Sequence, residues 1–242
     1  MSNFTLVNGQ LYTPGLAIVD SPQPNTPLGG DNLQVAIDVS GDGQLPWPPS
    51  NDSSTTFHSI TLFLTSYEKS LNFTISNGTE PAHNSTAYVG PVLTLEPSST
   101  VKHVNWIWPA CLVGNGDSSS SSSDRGTYNI TMHQSFRWNG TDYYTVFDWP
   151  IEVTNSISAS ADRVDCALLE NKVLSAETEA DSPDTLPAQP WVQAGVSSSA
   201  STSTATGSSA TASTSIGSRR FRVSWRMVLV AVGVMNYLSC VY

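Results

Sequence analysis

Leu33-Gln-Val-Ala-Ile-Asp-Val-Ser40 is the stretch on which the fold class turns. Successive side chains of an extended chain point to opposite sides. Leu33, Val35, Ile37 and Val39 therefore share one face, and Gln34, Ala36, Asp38 and Ser40 the other. A two-residue period with one apolar face belongs to strands of antiparallel sheets packed on a single core. Ile60, Leu62 and Leu64 repeat the pattern, and so do Leu71, Phe73 and Ile75.

Working outward, Pro, Gly and Asn punctuate eight candidate strands at 4–7, 16–20, 33–40, 59–66, 71–76, 101–108, 128–138 and 143–153. Asn139-Gly140 predicts a hairpin between the last two. The expectation is an all-β, antiparallel, immunoglobulin-like β-sandwich over 1–180. Long amphipathic helices are not expected. Residues 162–174 read either as one or two helical turns or as a strap across the sandwich. The six serines Ser118–Ser123 mark a loop tip. Residues 181–190 form a Pro-punctuated exit, and 197–218 are almost wholly Ser, Thr, Ala and Gly. Such a tract cannot bury a core, so 181–226 is expected to be a disordered stalk and basic spacer.

Charged residues make up 12% of the chain, against about 25% in ordinary soluble domains. Ser, Thr and Asn supply the polarity instead, which suits a glycan-coated surface. The net charge of -10 would repel nucleic acid phosphates. Asn-x-Ser/Thr acceptors occur at Asn3, Asn51, Asn72, Asn77, Asn84, Asn129 and Asn139. Cys111 and Cys166 fall in the folded region and Cys240 near the end. If the tail is removed, the remaining two cysteines can form one disulfide, as an oxidising compartment allows. Two unrelated buried thiols are the alternative.

Residues 227–242 are mostly apolar and run to the terminus. That is short of the about 20 residues of a spanning helix. Small residues, a polar spacer and a terminal apolar tail match a glycosylphosphatidylinositol signal, with Ser208, Ser209, Ser213 or Ser215 as attachment residue. The membrane is then a partner through this C-terminal anchor, and the location is extracellular, at the cell surface or wall. No secretory signal is visible at the start. The arginines before the apolar segment also permit a tail-anchored protein with a cytosolic β-domain.

Phe4-Thr-Leu-Val-Asn-Gly-Gln-Leu-Tyr-Thr-Pro-Gly-Leu-Ala-Ile-Val-Asp20, Pro24-Asn-Thr-Pro-Leu-Gly-Gly30 and Trp106-Ile-Trp-Pro-Ala-Cys-Leu-Val-Gly114 resemble a family of secreted ascomycete cell-surface proteins with a Ser/Thr-rich stalk. The resemblance implies a fungal, secreted protein and a signal peptide upstream of Phe4. It brings no catalytic residues with it.

Candidate chemistry is sparse. A Gly-x-Ser-x-Gly elbow and a His-Glu-x-x-His motif are both missing from the sequence. His58, His83, His103 and His133 are isolated, so no metal or cofactor is expected. Asp38-Val-Ser-Gly-Asp-Gly43 begins like a calcium loop but has Pro49 at the twelfth position, which favours a plain turn. A glycan-active hydrolase would need two carboxyls, for which Asp142, Asp148 and Glu152 are the candidates. Binding without hydrolysis needs exposed flat aromatics, for which Trp138, Tyr143, Tyr144 and Trp149 around the hairpin are the candidates, while Trp106 and Trp108 suit the core. The sequence as a whole is expected to encode a non-enzymatic surface or wall protein that binds polysaccharide or another cell.

Overall fold

The Leu33 stretch is a strand with the expected alternation: Leu33, Val35, Ile37 and Val39 are all buried in one core. The structure, a computed structural model, describes residues 5–50, 53–78, 87–116, 123–173 and Trp191. The chain divides into two compact units, Met1–Thr202 and Ser203–Tyr242, and every described residue belongs to the first. The hydrophobic terminus, the four candidate attachment serines and the sequons at Asn3, Asn51 and Asn84 lie outside the described residues. So does the stalk, apart from Trp191.

The described fold is all-β, built of two five-stranded sheets. In chain order the strands are β1 Thr5–Val7, β2 Gln10–Tyr12, β3 Ile18–Ser21, β4 Thr26–Leu28, β5 Asn32–Asp38, β6 Thr56–Ser66, β7 Leu71–Ser76, β8 Val101–Ile107, β9 Gly126–Trp138 and β10 Thr141–Val153. The first sheet runs β1-β2-β3-β5-β8 and the second β4-β10-β9-β6-β7. All eight expected strands are present; β2 and β4 are additional. β4 also departs from the expected antiparallel pattern, because it pairs parallel with β10 through Ile151 and Thr26. It tolerates Pro27 because it is an edge strand.

Two tight turns follow directly from their residues. Asn8-Gly9 and Asn139-Gly140 both have positive φ at each position. That is the backbone a two-residue hairpin demands, and Asn and Gly adopt it most readily. They join β1 to β2 and β9 to β10.

The inward faces of the two sheets meet in one cluster that includes Leu62, Leu64, Ile130, Met132 and Phe147. Full burial of one such aliphatic or aromatic side chain contributes roughly 1.5–3 kcal/mol. Trp106 and Trp108 take the core role, edge to face at 5.9 Å. Their indole N–H groups donate to the carbonyls of Ala87 and Gly29. A polar bridge also crosses the core. Gln134 of β9 donates to Thr13 Oγ1 at 2.8 Å and accepts from the Ala17 N–H at 2.9 Å. Gly15 leaves room for it, since a Cβ there would lie 2.5 Å from Gln134 Oε1.

Cys111 and Cys166 are bonded, with Cα atoms 6.1 Å apart. From Cys166 to Val173 the chain is the strap rather than a helix. Only a 3-10 turn, Cys166–Leu168, forms. The following residues cover the free edge of β7, where the Thr74 N–H donates to Leu169 O and the Asn171 N–H to Asn72 O.

That cover corrects one surface expectation. Asn72 is only 8% exposed, and its Oδ1 has no hydrogen-bond partner. Its amide therefore does not stand free on the folded surface to carry a glycan. Asn77 and Asn139 are exposed and Asn129 is half-buried.

Candidate functional site

The β9–β10 hairpin sorts the candidate residues by parity. With the turn fixed at Asn139-Gly140, Arg137 lies opposite Asp142, Ser135 opposite Tyr144, and Ile130 opposite Trp149. Odd positions of β10 then face inward and even positions outward. Trp149 is consequently fully buried and stacked on Phe147 at 5.5 Å. The expectation that it meets a ligand is corrected by this strand parity. Tyr143 is half-buried and stacked on Phe136 at 5.6 Å. Trp138 ends β9 with its ring against Trp191.

Of the four candidate aromatics, Tyr144 stands outward, at 40% exposed. Its position is fixed from below. The phenol oxygen is 2.5 Å from His133 Nδ1, and the two rings lie 5.8 Å apart. His133 in turn meets Phe63 of β6 edge-on at 5.2 Å. Burial pushes the His133 imidazole below its ordinary pKa, with the Asp148 carboxylate opposing weakly. The ring beneath Tyr144 is therefore neutral at pH 7 and adds no charge to the platform.

A polar rim borders this platform. Arg137 grips Asp142 with a two-point contact, Nε to Oδ1 at 2.8 Å and Nη2 to Oδ2 at 3.1 Å. His58 Nε2 reaches the same Oδ1 at 3.1 Å. The Arg137 hydrogen bonds, and then that of His58, hold the Asp142 carboxyl at a pKa of about 2. Such a group stays an anion and is ill suited to donating a proton as a general acid. The two other candidate carboxylates are engaged by neighbours: Asp148 accepts from Tyr67 at 2.8 Å, and Glu152 from the Thr127 hydroxyl at 3.1 Å. The face is thus built to present an aromatic plane beside fixed hydrogen-bonding groups.

The outer face of the first sheet differs in chemistry. Asp38 Oδ1 accepts from the Ser40 N–H and hydroxyl, and Oδ2 from the Asp42 N–H, so the Asp38–Gly43 loop is a carboxylate-capped turn. Among the described residues no group of His, Cys, Asp or Glu is arranged to hold a metal. Beside this turn, Ser21, Gln34, Ala36, Glu96, His103 and Asn105 line an open groove of about 460 Å³. His103 is paired with Glu96 at 2.8 Å, and none of these lining residues is Phe, Tyr or Trp.

Sequence reading missed the His133–Tyr144 contact, although the Asn139-Gly140 turn makes these residues diagonal neighbours across the hairpin. It also missed Phe63, whose approach depends on the β6–β9 register. Compared with protein-family models, curated proteins and solved structures, the chain matches none of them.

Proposed function

We propose that residues 1–180 form an immunoglobulin-like β-sandwich displayed on a fungal cell surface or wall, non-enzymatic, and that it binds wall polysaccharide through the outer face of β9 and β10. The observation that carries this reading is Tyr144, an exposed ring braced by His133 and bordered by the Arg137–Asp142 pair. A sugar ring presents one apolar face and a girdle of hydroxyls. Those two features match an aromatic plane beside side chains of fixed direction. The Cys111–Cys166 bond supports an oxidising, extracytoplasmic setting. Exposed Asn77 and Asn139 and half-buried Asn129 suit glycan attachment there. On this reading residues 181–226 are the stalk, and 227–242 direct membrane anchoring.

The test is retention on insoluble cell-wall polysaccharide. Tyr144→Ala removes the platform without opening the core, so thermal stability should change little. Binding should weaken about tenfold or more, since losing one aromatic contact with its buried area exceeds about 1.4 kcal/mol. Arg137→Ala should weaken binding less. Equal retention of the wild type and Tyr144→Ala on every wall fraction would sink the proposal.

A further inference from the structure

Trp191 sits in a recess shaped for an indole. Its Nε1–H donates to the Leu16 carbonyl at 2.8 Å. The ring stands perpendicular to Trp138, with centroids 5.3 Å apart and an interplanar angle of 89°. Gly41 closes the third side so tightly that a Cβ there would lie 2.5 Å from Trp191 Cε2. These three walls come from separate parts of the fold: the chain before β3, the chain after β5, and the end of β9. Each matches a different property of the indole, namely its N–H donor, its polarised edge and face, and its flat width.

We propose that this recess is a recognition site for the Trp191 side chain of the same chain, and that the stretch of sequence carrying it is a separable ligand of the domain. Chain length permits the intramolecular contact. The 18 steps from Val173 to Trp191 extend up to about 60 Å, more than the roughly 40 Å across a domain of this size. Recognition rests on one side chain, because Gly41, Leu16 and Trp138 all address the ring itself. The domain therefore grips Trp191 at the hairpin end, by the end of β9. The inference does not depend on polysaccharide binding, since Tyr144 and Trp138 occupy different positions on the hairpin.

The experiment uses the full chain carrying Trp191→Ala and a fluorescein-labelled peptide of residues 186–196, followed by anisotropy. The variant should bind the peptide saturably, and the wild type, whose recess is filled, about tenfold or more weakly by comparison. A peptide with Ala in place of Trp191 should not bind. Adding Trp138→Ala to the variant should weaken binding about tenfold, the scale of a lost aromatic pair with its buried area. Should Trp191→Ala fail to fold, Trp191→Phe keeps a ring over Gly41 but lacks the N–H for Leu16, and the peptide should displace it. No binding by the folded variant up to millimolar peptide overturns the proposal, as does equal binding by wild type and variant. A wild-type dimer that Trp191→Ala dissolves reassigns the occupant to a second copy and overturns the intramolecular form.

Discussion

The two ends of the strand layers are closed by opposite means. β5 runs from Asn32, opposite Ile107, to Asp38, opposite Val101. Beyond its first residue lie Asp31, Trp108 and the Cys111–Cys166 bond, joined by Arg125 and Arg163. Both guanidinium groups are buried, yet their partners are mainly backbone carbonyls. Arg163 donates to Ser158, Asp31 and Trp108, and Arg125 to Leu112, Gly116 and Asn155. Beyond the last residue of β5 lie Gly41, Leu16, Trp138 and Trp191, held by one indole. Irregular loops leave carbonyls without ladder partners, and an arginine fork can satisfy several at once. The first end is thus covalent and charge-assisted, and the second rests on packing. The first end should withstand more before it opens.

The largest expected effect comes from breaking the first end covalently. The 55-residue separation of Cys111 and Cys166 gives the bond a loop-closure contribution of roughly 4 kcal/mol. Cys111→Ala with Cys166→Ala should lose about that much in denaturant unfolding. The same loss should appear when the wild type is unfolded under reducing conditions. A loss below about 1 kcal/mol would show that the arginines alone close this end and would reverse the comparison.

A somewhat smaller effect is expected at Arg125, which is 4% exposed. Arg125→Met keeps much of the side-chain volume but strands the carbonyls of Leu112, Gly116 and Asn155. Buried acceptors left unpaired cost about 1–3 kcal/mol each, and partial access to water reduces the sum to about 3 kcal/mol. Arg125→Lys should recover only part, because an ammonium lacks the planar fork. Full recovery by lysine, measured by thermal unfolding, would mean that charge rather than the fork closes the loops.

Legibility in the sequence follows the same division. The regular parts could be read, because period-two alternation and Asn-Gly turns are local signals. Leu33–Val39 and both hairpin strands β9 and β10 came from that kind of evidence, whereas the Cys111–Cys166 pair, 55 positions apart, came from counting the cysteines outside the tail. β2 and β4 are three residues each, too short to show a period, and β4 gains its place only from its neighbour β10. The arginine clamps and the Trp191 recess were invisible for another reason. Each joins residues distant in sequence, up to 175 positions for Trp191 and Leu16. At the candidate site, strand parity was available in principle and would have separated Tyr144 from Trp149. The sequence could not reveal that His133 and Phe63 brace the ring, since that needs the β6–β9 pairing.

The smallest effect separates the two ends by pH. At the Trp191 end, Tyr12 donates to Asp42 Oδ2 at 2.8 Å and so ties β2 to the loop that carries Gly41. Burial first, then the Asp42 hydrogen bond and the charges of Asp42, Asp38 and Asp20, push the Tyr12 phenol from 10.0 up to about 12. A pKa raised by folding contributes stability that is complete below the unfolded value and lost as pH rises through the folded one. The Tyr12 contribution is therefore whole below pH 10.0 and disappears towards about 12. At the other end Tyr128 donates to the Asp124 carbonyl, and burial raises its phenol further still. Titration should therefore loosen the Tyr12 end first. Tyr12→Phe should flatten the fall of the unfolding midpoint in that window, at the cost of a lower midpoint near neutrality, where Asp42 loses its donor. Tyr128→Phe should flatten the same window, because its phenol in the unfolded chain also titrates from 10.0, and should go on flattening the profile above it. If instead the flattening by Tyr128→Phe stops where that by Tyr12→Phe stops, the two phenols are held equally, and the second end is not the weaker closure.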